Sequence, residues 1–124
     1  MIHDEICTYE VCKLAKEKGF RERCIEHYYD DTKDLYRSSN PQCYNFGGNT
    51  SDAPTQSLLQ RWLREEKKIE VYVRNFEKTT NFPHHYWNFI TDGNGKTLKV
   101  GNKMFDTYEL ALEDALAYSL KNLV

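Results

Sequence analysis

The sequence predicts an α+β domain, in which helices pack on an antiparallel sheet of three to five strands. Three features support this prediction: an amphipathic helix that passes directly into an alternating strand, a strong hairpin turn, and an apolar face on a terminal helix. Helices packed against one face of an antiparallel sheet bury the apolar sides of both. We expect the element order α-(ββ)-α-β-β-β-α in a single domain, residues 1–124.

Residues 53–74 contain the clearest local signals. Pro54 disfavours a helical conformation of the residue before it, and Thr55 is the natural N-cap of the helix that follows. Apolar residues then recur at helical spacing as far as Leu63. From Ile69 onwards apolar and polar residues alternate, which predicts a half-buried strand.

The N-terminal half predicts a helix, a hairpin and a loop. Thr8 is the expected N-cap of the first helix, and Gly19 is expected to end it in the left-handed conformation. Residues 23–37 place β-prone residues on both sides of a DDTK turn and predict a hairpin. Residues 38–52 predict an irregular loop, because Ser, Asn, Pro, Gly and Asp dominate them.

The C-terminal half predicts two further strands and a terminal helix. The DGNG sequence at residues 92–95 is typical of a hairpin turn, since these residues tolerate positive φ. Asp106 or Thr107 is the expected N-cap of the last helix. The apolar face of that helix is predicted to contain Tyr108, Leu112, Ala115, Leu116, Leu120 and Leu123. Its first turns carry the acidic residues Glu109, Glu113 and Asp114.

Composition limits the partners and the compartment. The formal net charge of the 124 residues is −2, which gives no general argument for nucleic acid or an anionic membrane as a partner. No segment approaches 18 apolar residues, so we expect no membrane span. The first ten residues lack the basic region and apolar run of a secretory signal. We therefore expect the four cysteines to be reduced thiols in a cytoplasmic protein.

Three segments together resemble a known family. They read TYEVCKLAKEKGF near the start, APTQSLLQRWLREEKKIEVYV in the middle and FDTYELALEDALAYSLKNL at the end. In these segments the chain resembles a family of small uncharacterised proteins encoded in bacterial genomes and their prophages. The resemblance covers most of the chain apart from residues 38–52. It implies a phage or mobile-element context, and it assigns no catalytic or binding residue.

One candidate metal site is the series Cys7, Cys12, Cys24 and His27, with spacing C-x4-C-x11-C-x2-H. Tetrahedral zinc usually takes its ligands from two closely spaced pairs on turns. Residues five apart do not share one face of a helix, so Cys7 and Cys12 form a poor pair. We therefore expect small buried cysteines, with no metal and no cofactor.

Catalytic candidates are few. His84 and His85 precede two aromatic residues, and histidine titrates near neutral pH, but a catalytic histidine needs a positioned partner. Cys43 lies in the predicted loop without the surroundings of a known cysteine nucleophile. The sequence also lacks G-x-S-x-G, H-E-x-x-H and a phosphate-binding glycine loop. We therefore expect a protein that is not an enzyme.

Nucleic-acid binding is the second functional hypothesis. Residues 54–123 follow the element order of a double-stranded-RNA-binding domain, but acidic residues stand where that fold presents cations to phosphates. A different surface, on helix 55–68 and the strand after it, combines basic residues with the aromatic Tyr72, as surfaces that bind single-stranded nucleic acids do. Glu65, Glu66 and Glu70 lie among these basic residues. The candidate nucleic-acid contacts are Arg61, Arg64, Lys67, Lys68 and Arg74 on the basic side of helix 55–68 and the strand after it.

Protein binding is the first functional hypothesis. Exposed aromatic residues mark interfaces between proteins, and this chain is rich in tyrosine. The candidate interface aromatics are Tyr44, Phe46 and Tyr86. An antiparallel sheet with an exposed edge can also pair with a second copy. We therefore predict a small non-enzymatic binding or accessory protein of unknown partner, either another protein or the chain itself.

Overall fold

The computed structural model describes residues 4–45, 48–75, 85–101 and 103–124. Within these ranges helices and strands mix along the chain, which confirms the α+β class. The helices are α1 (Tyr9–Glu17), α2 (Gln56–Glu66) and α3 (Tyr108–Asn122). The strands are β1 (Cys24–Tyr29), β2 (Leu35–Gln42), β3 (Thr50–Asp52), β4 (Ile69–Asn75), β5 (Tyr86–Asp92) and β6 (Thr97–Val100).

The described strands form two antiparallel sheets of three strands each, whereas the sequence suggested a single sheet. The chain groups into two compact units, Met1–Leu58 and Leu59–Val124. Each unit contains one of the sheets. That residues 1–124 form one domain stays a prediction.

The first unit has the strand order β2-β1-β3, so β1 is the central strand. His27 on β1 lies opposite Tyr36 on β2 and opposite Asp52 on β3. Helix α1 packs along β3. The side chain of Thr8 caps it by accepting a hydrogen bond from the backbone N–H of Val11, at 3.4 Å.

The predicted hairpin of residues 23–37 is confirmed, but the irregular stretch is shorter than residues 38–52. Strand β2 continues through Gln42, and β3 occupies Thr50–Asp52. Among the described strands β2 is at the edge of its sheet, a position where Pro41 is tolerated because a strand edge has a side that forms no ladder hydrogen bonds. Pairing with β1 therefore overrides the turn preference of these residues.

The second unit begins within α2. Thr55 caps this helix as predicted, since its hydroxyl accepts from the backbone N–H of Leu58 at 3.2 Å. Strands β4, β5 and β6 then form the predicted meander, with Val71 opposite Ile90. The turn between β5 and β6 has Gly95 at φ +85°, as the DGNG signal requires.

Helix α3 packs on β4 and β5 and covers one face of the second sheet. Thr107 is its N-cap, with its hydroxyl 3.1 Å from the N–H of Leu110, so the alternative cap Asp106 is not used. Tyr108 was expected on the apolar face but is exposed. The buried face of α3 consists of Ala111, Leu112, Ala115, Leu116, Ser119 and Leu120. None of the helices in the described ranges is long and apolar enough to cross a membrane.

Candidate functional site

Most of the basic residues predicted to contact nucleic acid already have partners within the second unit. Arg61 lies 3.0 Å from the carboxylate of Glu65, and Arg64 lies 3.5 Å from that of Glu70. Lys68 donates to the backbone carbonyl of Glu65 at 2.9 Å. The remaining members of the set are Lys67, which lies over the ring of Trp62, and Arg74, which is exposed on β4. Acidic partners therefore offset much of the positive charge on this side of α2.

Two of the predicted interface aromatics lie in the described ranges, each in a different unit. Tyr44 belongs to the first unit, is 39% exposed and contacts the ring of His27. Tyr86 belongs to the second unit, where it is half-buried and contacts the ring of Tyr108. Phe46 lies outside the described residues, as does His84. A shared role of Tyr44 and Tyr86 in an interface stays a prediction.

A buried polar chain in the first unit was missed from the sequence. His27 and Asp52 are both fully buried, and Nδ1 of His27 lies 2.8 Å from Oδ1 of Asp52. Nε2 of His27 lies 3.0 Å from Oγ of Ser38. The carboxylate of Asp52 also accepts from the backbone N–H of Tyr44 at 2.9 Å. An Asp–His–Ser chain of this kind is the arrangement that activates serine nucleophiles.

The proton on Ser38 decides what this chain does. Oγ of Ser38 lies 2.7 Å from the carbonyl oxygen of Asn40 and 3.1 Å from that of Ile25. Carbonyl oxygens only accept hydrogen bonds, and a hydroxyl has one proton to give. Two carbonyl oxygens therefore compete with Nε2 of His27 for the single proton of Ser38. A serine nucleophile needs its proton donated to the imidazole.

The polar chain instead holds an aromatic row in position. The ring of His27 lies 4.6 Å from that of Tyr44 and 5.2 Å from that of Tyr36, and Tyr36 stacks on Tyr29 at 4.4 Å. Because Asp52 binds both the imidazole of His27 and the backbone N–H of Tyr44, it fixes one end of the row. The tyrosines at the two ends of the row, Tyr44 and Tyr29, are exposed.

The cysteines of the predicted zinc site are buried. Cys7 and Cys12 are fully buried, and Cys24 is 5% exposed. Both ring nitrogens of His27 are taken by Asp52 and Ser38. In the described part of the chain, no group of three or more His, Cys, Asp or Glu residues is arranged to hold a metal ion.

A cleft of about 190 Å³ lies in the first unit. Its walls are mainly apolar, and its lining includes Ile6, Cys24, Ile25, Ala53 and Leu58. Sites for drug-sized ligands enclose roughly 300–1,000 Å³. The cleft is thus large enough for a single side chain rather than for a cofactor.

The open face of the second sheet is the strongest candidate for a binding surface. Side chains alternate between the two faces of a strand, and Val71 and Ile90 occupy the buried face. Tyr72 and its opposite residue Phe89 therefore lie on the other face, where their rings stack with centroids 4.7 Å apart. Val100 lies opposite Phe89 on the next strand, so a row of three residues crosses the sheet. Tyr72 is 40% exposed and Val100 is 54% exposed.

A second row on this face adds a charge and an indole. Arg74 lies opposite Trp87, and the Trp87 ring lies 6.1 Å from that of Phe89. Nε1 of Trp87 donates to the carbonyl oxygen of Gly101 at 2.6 Å, which fixes the indole against the sheet. Towards the other end of the face Thr91 is only 6% exposed, so the open region is the side of Tyr72, Arg74 and Val100.

The sequence indicated this face only in part. The alternation of Val71 and Val73 with Tyr72 and Arg74 shows which residues of β4 share a side. It does not show that Phe89 lies against Tyr72, because that contact depends on the register between strands.

Comparisons with known proteins add no assignment. No protein-family model, no curated protein and no solved structure matches the chain significantly.

Proposed function

We propose that the chain is a non-enzymatic binding protein that captures a protein partner on the open face of its second sheet. The observation that carries the proposal is the stacked pair of Tyr72 and Phe89, left partly exposed beside Val100. Aromatic and arginine side chains supply most of the energy of protein interfaces. Tyr72, Trp87 and Arg74 are residues of this type on one surface.

Charge supports a protein partner over a nucleic acid. The acidic Glu70 lies on the same face as Tyr72 and Arg74, two residues along β4 from Tyr72. It also binds Arg64. A surface that tracks a phosphate backbone needs an excess of cations. The exposed Val100 adds apolar area, which a protein partner buries more favourably than a polynucleotide.

The surroundings of two candidate nucleophiles among the described residues, Ser38 and Cys43, support the non-enzymatic part of the proposal. Oγ of Ser38 lies 2.7 Å from the carbonyl oxygen of Asn40, which competes with His27 for its proton, and His27 is fully buried. Burial and the nearby charge of Asp52 raise the pKa of the Cys43 thiol, although a hydrogen bond from the backbone of Asn45 opposes them. A thiol with a raised pKa is a poor nucleophile at neutral pH.

The experiment is a peptide selection on the purified protein. Peptides enriched from a displayed random library are labelled, and their affinity is measured by fluorescence polarisation. We expect Tyr72→Ser to weaken binding at least about tenfold, as loss of an aromatic anchor does. Leu110→Ser is the matched control, because Leu110 is 54% exposed on α3, whose packed side covers the other face of the sheet. Peptides that bind both variants equally would contradict the proposal.

We infer that the partner belongs to a mobile-element setting in the cytoplasm of a bacterium. Support comes from the resemblance to prophage-encoded proteins and from the four cysteines, none of which is paired in a disulfide. The test is transcript abundance after prophage induction by DNA damage. Abundance that stays constant while resident phage genes rise would count against this inference.

Binding of a single-stranded nucleic acid is the second candidate function. The stacked pair of Tyr72 and Phe89 beside Arg74 favours it, since bases stack on exposed aromatic rings. The test is fluorescence anisotropy with single-stranded DNA, duplex DNA and duplex RNA at low and physiological salt. Salt-sensitive binding that is lost in Arg61→Ala combined with Arg64→Ala would support the basic side of α2. No binding at low salt would remove this candidate.

A further inference from the structure

We propose that the protein partner on the open face is a second copy of this chain, bound face to face about a two-fold axis. This inference rests on the proposed binding surface and names its occupant. The row of Tyr72, Phe89 and Val100 crosses all three strands of the second sheet in direct register. A two-fold axis along this row would place each of the three residues against its own counterpart.

The charges on β4 match such an axis. Glu70 and Arg74 lie two residues before and two residues after Tyr72, on the same side of the strand. A two-fold rotation about the row reverses the direction of the strand. It therefore brings Glu70 of one copy opposite Arg74 of the other, and the reverse contact forms as well. The surface is thus complementary to itself in charge.

The sheet geometry is compatible with this packing. Two sheets that pack face to face keep their strand directions within roughly 30° of each other, either parallel or antiparallel, at a separation of about 10 Å. Isologous contacts of this kind are the commonest way in which soluble proteins form dimers. The Trp87 indole, fixed by Gly101, lies beside the row and extends the apolar contact.

Arg64 strengthens the acidic end of each contact. It reaches Glu70 from α2 at 3.5 Å within one copy. In the dimer, Glu70 would lie between this arginine and the Arg74 of the second copy. One carboxylate between two guanidinium groups is favourable, and each dimer contains this arrangement twice.

The first test is charge reversal followed by mixing. The wild-type chain should have twice its mass of 14.7 kDa in light scattering at high concentration. Glu70→Arg places two arginines opposite each other in both contacts, and Arg74→Glu places two glutamates there. We expect each variant alone to dimerise at least tenfold more weakly than wild type. Mixing the two variants makes both contacts complementary again, so the mixture should recover the dimer mass. Circular dichroism confirms that each variant is folded.

The second test is a cross-link across the axis. Val100 lies beside its own counterpart at the proposed axis, so a short bis-maleimide reagent should join two copies of Val100→Cys. A direct disulfide would be too short, because facing sheets are about 10 Å apart and a disulfide needs Cα atoms within about 7 Å. Leu110→Cys is the control, since Leu110 has the same 54% exposure and lies on α3, whose packed side covers the opposite face of the sheet. A cross-link in the first variant and none in the second is the expected result.

The outcomes separate this inference from the proposed function. A wild-type chain that stays monomeric up to about 1 mM overturns the dimer. If selected peptides still require Tyr72 in that case, the open face is a binding surface for a different protein. A dimer that persists in both single variants, or a mixture that associates no better than its components, also overturns the inference. Loss of both dimerisation and Tyr72-dependent peptide binding would remove the proposed function as well.

Discussion

Nδ1 of His27 lies 2.8 Å from Oδ1 of Asp52, and neither side chain is exposed to solvent. The contact joins the central strand of the first sheet to β3, and Asp52 also accepts from the backbone N–H of Tyr44. A buried carboxylate stabilises the fold when it is hydrogen-bonded, and its removal leaves its buried partners, here the His27 ring and the Tyr44 N–H, without an acceptor. The two residues therefore join β3 and the segment around Tyr44 to β1, in addition to the backbone pairing of the strands.

Removing this carboxylate should destabilise the protein strongly. Asp52→Ala leaves the imidazole of His27 and the backbone N–H of Tyr44 without their acceptor in a buried place. We expect a loss of about 3–5 kcal/mol in the free energy of unfolding, measured by urea denaturation. Asp34→Ala is the control, because Asp34 is exposed, and it should change the free energy by less than about 0.5 kcal/mol. Similar losses in the two variants would show that the buried pair is not important.

Ser38 should not react as a serine nucleophile. The carbonyl oxygens of Asn40 and Ile25 compete with Nε2 of His27 for the single hydroxyl proton of Ser38. We expect no labelling of Ser38 by a fluorophosphonate probe in intact-mass measurements. Hydrolysis of an activated ester should be the same for wild type and Ser38→Ala. Stoichiometric labelling that disappears in Ser38→Ala would instead identify a hydrolase.

The pH dependence of stability should depend on Asp30. Burial raises the pKa of this carboxyl, but hydrogen bonds from Ser51 and Lys16, together with the charge of Lys16, outweigh burial and lower it. A carboxyl whose pKa is lower in the folded state stabilises the fold above its unfolded pKa, and this stabilisation is lost as pH falls through the folded pKa. The free energy of unfolding should therefore fall in acid below about pH 4.

Asp30→Asn tests this assignment. At neutral pH the variant should be less stable by about 1.5–3 kcal/mol, the usual value of a hydrogen bond to a charged group. Its acid-dependent loss should be smaller than that of wild type, as measured by urea unfolding between about pH 2 and pH 7. An unchanged acid dependence would assign the loss to other carboxyl groups.

The thiol of Cys43 should react slowly in the folded protein. Burial and the charge of Asp52 raise its pKa, so little thiolate is present at neutral pH. We expect alkylation by iodoacetamide to be several-fold slower in the native chain than in urea, and to accelerate as pH rises above the ordinary pKa of a thiol. Peptide mass spectrometry distinguishes Cys43 from Cys24, whose pKa burial also raises. Rapid native alkylation of Cys43 would contradict the expected shift.

Gly101 should not tolerate a side chain. A Cβ atom at this position would lie 2.5 Å from Oδ1 of Asn88 and 2.6 Å from its carbonyl oxygen. The backbone has little freedom to move away, because it also binds Asn88 and Trp87 at 2.9 and 2.6 Å. We expect Gly101→Ala to lower the free energy of unfolding by about 1–3 kcal/mol and to alter tryptophan fluorescence.

Gly93→Ala is the control for this substitution. A Cβ atom there would lie 3.4 Å from Cβ of Lys68, which is an ordinary contact. Its effect on stability should be small. If Gly93→Ala and Gly101→Ala are equally destabilising, the close approach at Gly101 does not explain the loss.

Local signals predicted the elements well. The caps at Thr8 and Thr55, the turn at Gly95 and the alternation in β4 each depend on residues close in sequence. Strand β3 and the partnership of His27 with Asp52 join residues 25 positions apart. Their pairing follows from the order of strands in the sheet, which no local pattern of Ser, Asn and Asp specifies.

The open face of the second sheet could be predicted only in part, because it also depends on pairing between strands. Tyr72 and Arg74 share a side of β4 by simple alternation, so the sequence places them together. Trp87 and Phe89 form a similar pair on β5, but the sequence did not show whether that pair was core or surface. The register between the two strands, and the packing of α3 on the opposite face, decide it.

The central position of β1 also limits when the N-terminal half can fold during synthesis. Strand β1 emerges from the ribosome before both of its neighbours, and its second neighbour, β3, ends at Asp52. Until that residue has emerged, the imidazole of His27 has no carboxylate and the sheet has only two strands, which are marginal in water. The first sheet must therefore remain incomplete while about 25 further residues are synthesised after His27. A chaperone that binds apolar segments of the nascent chain would act in this interval.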